Sequence, residues 1–163
     1  MTVITHNLQQ LDVLNTIVQL VKPEHYSQEL NWPGTPSVGK HTRHVLGHYQ
    51  QLRLAFENKQ LDYRSRVRDE DIETQPARAI QWIEGIRSWL QSLHRADIEC
   101  TIQYQFSEGK TFTSLHRELD FVASHCVHHL ALIHSILEKW DYKWPENAGV
   151  HSSTVEYQKQ CAL

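Results

Sequence analysis

The residues with the most chemistry in this chain are its histidines. Twelve of 163 residues are histidine, against six tyrosines and four phenylalanines. Most of them fall in two short stretches. His41, His44 and His48 are spaced i, i+3, i+7. On a helix that turns about 100° per residue they occupy a sector roughly 60° wide, on the side that also carries Val38, Val45 and Leu52. His125 and His129 are spaced i, i+4 and interrupt a seam that otherwise reads Val122, Leu132, Ile136. A buried imidazole with no partner costs on the order of 1–3 kcal/mol in lost solvation. A shared divalent cation satisfies several lone pairs together, and neutral imidazole is the commonest metal ligand. Sites built from inward-facing side chains of neighbouring helices are well attested. Three imidazoles on a zinc, iron or nickel ion leave positions open for water or substrate.

The ordinary alternative is a core histidine that hydrogen-bonds a neighbour. The presence of a second histidine-bearing face, on another helix, favours the cation. His128 and His134 lie off the tight seam and read as flanking or surface residues. Cys126 points about 100° away from His125 and reads as packed or free. His6, His25, His94, His116 and His151 are expected to face solvent. The pattern is not the HExxH motif of zinc proteases, which needs Glu after its first histidine as general base; Cys126 stands there.

The elements that must hold these residues follow from periodicity. Leu8, Leu11, Leu14, Val18 and Val21 recur at helical spacing, with Thr5 as N-cap and Pro23 just beyond. The segment from Glu24 to Pro36 is rich in breakers in its second half and reads as a loop. Thr35 and Pro36 are suited to the N-cap and first turn of a second long helix. That helix runs to about Asn58 with Val38, Val45, Leu52 and Phe56 on one side. From Leu61 to Glu73 the chain is charged and aperiodic, a long surface connection of the kind that is often functional or a crossover. A third helix opens near Thr74-Gln75-Pro76 and buries Ile80, Ile83, Ile86, Leu90 and Leu93. Cys100, Ile102, Tyr104 and Phe106 then alternate with polar residues as in a half-buried strand. A turn at Ser107–Lys110 and a return over Thr111-Phe112-Thr113 make a small β-hairpin. The fourth helix spans Ser114 to about Trp140 with Leu115, Leu119, Val122, Leu132, Ile136 and Trp140 on or beside its seam. Residues 141–163 are expected to be an irregular tail with at most one helical turn. The class is all-α with four long helices, and 1–163 reads as a single domain.

Composition narrows the partners. The net charge is −3 with acids and bases interspersed, so there is no electrostatic footprint for nucleic acid or an anionic membrane. Polar residues break the first twenty positions, which argues against a secretory signal, and no run approaches the roughly 18 apolar residues of a membrane span. Cys100, Cys126 and Cys161 form no CxxC pair and read as free thiols. A cytoplasmic protein with a small-molecule substrate is the expectation. Trp82, Trp89 and Trp140 read as packing residues.

Two segments carry a family resemblance: Ser37-Val-Gly-Lys-His-Thr-Arg-His-Val-Leu46 and Ser124-His-Cys-Val-His-His-Leu-Ala-Leu-Ile133. Together they resemble the DinB-like superfamily. The resemblance implies a four-helix bundle of up-down-down-up order with a long crossover after the second helix. It also implies a three-histidine metal site with one ligand from the second helix and an HxxxH pair from the fourth. Carried onto this chain, the ligands are His44, His125 and His129, with His48, and less so His41, close enough to substitute or add. Zinc, nickel, iron and manganese are the metals to consider, and a homodimer is implied by analogy. Relatives in that superfamily include thiol S-transferases that use a low-molecular-weight thiol, metal-dependent hydrolases and proteins with no known reaction. A shared fold does not carry a reaction with it.

The enzyme reading has a metal that binds a thiolate or water and lowers its pKa. His48 and Glu118 are its candidate acid or base groups, and Arg64, Arg66 and Arg68 its candidate clamp for an anionic substrate. The second reading is a non-catalytic stress or interaction module that the metal merely stabilises. A haem between two bundle histidines is a third.

Overall fold

A computed structural model of the protein describes residues 2–29 and 36–161. It is mostly helical, with a small sheet at one end. The first helix, α1 (Val3–Leu20), begins three residues earlier than its apolar pattern suggests, because Thr2 rather than Thr5 is the N-cap and its hydroxyl accepts from the Thr5 backbone N–H. Its buried face carries Leu11, Leu14, Ile17 and Val18. Asn7 extends that face by donating to the Leu119 carbonyl at 3.0 Å, which pins α1 to the last long helix.

The expected loop after α1 contains a short helix, α2 (Pro23–Ser27), with proline in its first turn. Tyr26 inside it is fully buried and donates its hydroxyl to the Ile72 carbonyl. One buried aromatic is too small a signal for periodicity to register. The second long helix is α3 (Val38–Asn58), with Ser37 as N-cap accepting from Lys40 N–H. Pro36 is therefore outside the helix, and Thr35 and the Asn31–Gly34 breakers lie outside the described residues. α3 ends on Lys59 in the left-handed conformation, which turns the chain straight into strand β1 (Gln60–Leu61).

The crossover is not the plain surface connection that its charge suggests. After β1 come a 3₁₀ turn (Tyr63–Ser65) and helix α4 (Asp71–Thr74), with Leu61, Tyr63 and Ile72 buried. Three apolar anchors among charged residues hold it against the helices. α5 (Pro76–Ser92) then buries Ala79, Ile83, Ile86, Trp89 and Leu90, followed by a single turn, α6 (Arg95–Ile98).

The hairpin is present as β2 (Thr101–Phe106) and β3 (Gly109–Ser114), antiparallel from Thr101↔Ser114 to Phe106↔Gly109. β1 adds a third strand, parallel to β2 with Gln60 opposite Gln103 and Leu61 opposite Tyr104. The expected alternation weakens toward the turn, where Phe106 is exposed. Ser114 ends β3 and caps the last long helix, α7 (Leu115–Leu137), whose core face is Leu119, Val122, Cys126, Leu130, Ile133 and Leu137. Leu132, placed on the seam by spacing, is exposed. The four long helices meet pairwise, α1 with α7 and α5, and α3 with α7 and α5.

The C-terminal tail departs most from expectation. Instead of an irregular stretch it carries helix α8 (Ser152–Cys161). The segment before it lies on α7 at Gly149, where φ is +78° and an added Cβ would come 2.8 Å from the Ala131 backbone nitrogen. Only a residue without a side chain tolerates both the conformation and the approach. Among the described residues no helix is long and apolar enough to cross a membrane.

Candidate metal centre

The α3 and α7 faces that carry the histidines pack against each other, and their imidazoles converge. His44 Nε2 and His125 Nε2 are 2.9 Å apart. His48 lies beside both, with ring centroids 4.6 Å from His44 and 4.4 Å from His125. One ligand atom from each of His44, His48 and His125 can be chosen so that all three lie within 4.8 Å of one another. His129 is the next ring, 4.5 Å from His125 and 4.6 Å from His44 between centroids. Its Nδ1 is 2.8 Å from Nδ1 of His41. Five imidazoles thus form one patch, in which His44, His48 and His125 are the compact group and His41–His129 a hydrogen-bonded pair beside it.

Helix geometry explains the grouping. His41, His44 and His48 share one stripe of α3, and His125 and His129 stand one turn apart on α7. His44 and His125 are half-buried, whereas His41, His48 and His129 are buried. The group therefore sits at the edge of the core with an open side.

The protonation state suits a cation. Burial, and then the neighbouring imidazoles and Arg66, lower His44 to about 4. His48 falls to about 3, again mainly by burial, with a backbone hydrogen bond working the other way. His129 falls to about 2, and His41 and His125 are lowered too, burial leading in each case. All five are neutral at pH 7, the form in which imidazole offers a lone pair. His48 Nδ1 bonds the His44 carbonyl at 2.9 Å. Since a carbonyl only accepts, Nδ1 carries the hydrogen and Nε2 the lone pair. Two neutral nitrogens facing each other at 2.9 Å hold one hydrogen between them. Nitrogens held at about 2.0–2.1 Å by a tetrahedral zinc would lie roughly 3.3 Å apart, so the 2.9 Å His44–His125 pair would part slightly and His48, within 4.8 Å of both, would close in. The donor set fits a divalent transition ion.

The surrounding wall is aromatic. Phe121 stacks on His125 with centroids 5.6 Å apart and planes 17° from parallel. Tyr63 reaches from the crossover to within 5.1 Å of His48 and 5.5 Å of Phe121, centroid to centroid. Neither was singled out from sequence. Phe121 had a usable signal, standing one helical turn before His125; Tyr63 had none in an aperiodic segment.

The other candidates separate. Glu118 is fully buried and accepts from Tyr63 Oη at 2.9 Å, Thr113 Oγ1 at 2.8 Å and Arg117 at 2.7 Å. Its oxygens are committed to holding the crossover, β3 and α7 together. Arg64 is turned to Asp62, which it bonds through two nitrogens, and Arg68 is exposed. Of the three arginines, Arg66 is the one that lies against a site histidine, with Nη1 3.3 Å from His48 Nε2. Cys126 is core, its thiol pushed up to about 12 by burial, and so is not a thiolate. His128 is exposed; His134 stacks on Trp144. His6, expected at the surface, is 6 % exposed, with the His151 ring of the C-terminal segment edge-on to it, centroids 6.3 Å apart.

The profile of the DinB superfamily matches residues 9–133, which spans α1 to most of α7. The chain belongs to the DinB superfamily. No curated protein and no solved structure gives a significant match. The matched span of this DinB-superfamily chain contains all five clustered histidines and stops before the tail that carries α8.

Proposed function

We propose that this protein is a metal-dependent enzyme of the DinB superfamily, a thiol S-transferase or hydrolase whose divalent ion is held between α3 and α7. The observation that carries the reading is the convergence of His44, His48 and His125 to within 4.8 Å at a half-open edge of the core. His44 and His125 are common to this group and to the set implied by family resemblance. Geometry favours His48 as the third ligand, with His129 the adjacent ring. Contacts that run parallel between α1 and α7 (Asn7 with Leu119, Gln10 with Cys126), antiparallel between α3 and α7 (His41 with His129, His48 with Phe121) and parallel from α3 to the α4–α5 segment (Arg43 with Glu73, Phe56 with Trp89) support a four-helix bundle of up-down-down-up order. An all-nitrogen donor set favours zinc, nickel or iron over manganese, which prefers oxygen ligands. A bound ion supplies Lewis acidity, which activates a thiol or a water at neutral pH. The chain's own part is to keep the imidazoles neutral, to orient His48 through the His44 carbonyl, and to wall one side with Tyr63 and Phe121.

One observation favours a second reading, a non-catalytic module that the metal stabilises. His129 is close enough to serve as a fourth imidazole, and four protein ligands would close the shell as in structural sites. Elemental analysis of untagged protein, prepared without metal-affinity resin, tests both. About one ion per chain, lost in a His44→Ala, His125→Ala double variant, is expected. Cobalt substitution then separates the readings: a spectrum that changes with added small thiols marks an open shell, and an inert tetrahedral spectrum a closed one. No metal under any supplementation would overturn both.

A further inference from the structure

Arg66 stands in an unusual position for a cation. It follows the 3₁₀ turn of the crossover, is half-buried, and its Nη1 donates to the Tyr63 carbonyl and to His48 Nε2, the latter at 3.3 Å. His48 Nδ1 is already engaged with the His44 carbonyl at 2.9 Å. Nε2 therefore holds the ring's single lone pair. A guanidinium keeps its charge at any ordinary pH, so Arg66 always offers a donor there and never an acceptor. That lone pair can serve the arginine or a metal cation, but not both.

Arg66 also lacks a counter-ion. Among the described residues Arg43 pairs with Glu73, Arg64 with Asp62, Arg78 with Asp69, Arg87 with Asp12 and Arg117 with Glu118, whereas no carboxylate meets Arg66. Burial disfavours its charge most, and the charges of Arg68 and Arg43, which act on it next, are of the same sign. A half-buried guanidinium without an anion, beside a site for a dication, is a vacant half of an ion pair.

We propose that Arg66 is the anion-receiving residue of this site and exchanges partners: it bonds His48 Nε2 in the metal-free protein, and the carboxylate or other anionic group of a small-molecule substrate when a cation takes that lone pair. The inference rests on the metal-site reading above and names the substrate class for it. A dication and an unpaired guanidinium repel each other, and an anion placed between them relieves the repulsion. Metal and anion therefore bind with positive coupling, and by linkage each tightens the other by the same factor.

The test is zinc affinity, measured by competition with a chromophoric chelator, for the wild type, Arg66→Gln and Arg66→Lys, each with and without acetate. Comparison at equal acetate cancels the effect of acetate on free zinc. Arg66→Gln is expected to bind zinc at least about fivefold tighter than the wild type without acetate, having lost both the competing donor and the repelling charge. Acetate is expected to tighten zinc binding about fivefold or more in the wild type, within the usual range of coupling between two ligands, and to do so less in Arg66→Gln. Arg66→Lys, which keeps the charge, should retain part of the acetate effect and shows that the residue tolerates substitution. Zinc binding that is the same in wild type and Arg66→Gln, or an acetate effect equal in both, would overturn the assignment while leaving the metal site standing. Absence of zinc binding in every chain would remove the metal site and this inference with it.

Discussion

At the scale of single residues, the structure divides the polar groups near the site into those with free lone pairs and those fully committed. Glu118 is committed: it ties Tyr63, Thr113 and Arg117 together from a fully buried position. Replacing it with alanine leaves the buried Tyr63 hydroxyl without an acceptor, at about 1–3 kcal/mol, and takes the partner of the half-buried Thr113 as well. Urea unfolding should show that loss, and Glu118→Gln, which keeps an acceptor, should show less. A Glu118→Ala protein of wild-type stability would return the residue to the list of acid-base candidates. The histidines behave differently. His44→Ala, His48→Ala and His125→Ala should each abolish zinc binding at micromolar metal. His129→Ala should weaken it by roughly 10- to 100-fold, as the loss of an outer partner does. The reverse ranking of His48 and His129, read by the same chelator competition, would move the third ligand to His129. Sequence spacing alone showed that these five residues form one stripe on each of two helices, because helical periodicity is a local property. It did not show which three converge. That depends on the axial offset between α3 and α7, set by contacts such as Asn7 to the Leu119 carbonyl and Tyr63 to Glu118, which join positions far apart in the chain.

At the scale of elements, the four long helices were legible because each keeps an apolar stripe over many turns, and the hairpin because Cys100 to Phe106 alternates. The short elements were not. α2, β1, the 3₁₀ turn and α4 are each too brief for a period, and each is held by one buried side chain: Tyr26, Leu61, Tyr63 or Ile72. α8 is solvent-rich, with little apolar pattern to reveal it. The tightest of these dockings is α4 against α3. A Cβ on Gly39 would lie 2.0 Å from the Glu73 carbonyl oxygen and 2.8 Å from the Tyr26 ring. Backbone cannot yield as a flexible side chain does, so Gly39→Ala must push the end of the crossover away from α3. Overpacking of this kind costs about 1–3 kcal/mol. Gly85, around which a Cβ meets nothing within 4 Å, is the control: Gly85→Ala should stabilise α5 by up to about 1 kcal/mol through helix propensity. Thermal melting of the two variants should move in opposite directions, and a Gly39→Ala protein as stable as the wild type would show that α4 is not docked as described.

At the scale of the whole molecule, the buried imidazoles make stability depend on pH with a definite sign. His6, His41, His44, His48, His125 and His129 are all lowered in the folded state, by burial first and by neighbouring imidazoles or arginines next. In the unfolded chain each takes up a proton near pH 6.5. Between those two values the unfolded state binds more protons than the folded one, so stability rises with pH. The contribution is fully present above the unfolded value and is lost as pH falls from about 6.5 toward the folded values, about 4 for His44 and about 3 for His48. Denaturant midpoints of chelated protein should therefore fall steadily from pH 7.5 to pH 5. Saturating zinc should raise the midpoint at pH 7.5, because an ion that binds only the folded chain adds its binding free energy to stability. It should leave the slope between pH 7.5 and pH 5 much as it was, since the folded imidazoles hold almost no proton there with or without the ion and the unfolded chain alone takes protons up. A metal-free midpoint that stays flat across this range would mean that the imidazoles are hydrated and protonated in the folded protein. In that case the α3–α7 interface would have to be open to water along its histidine stripe.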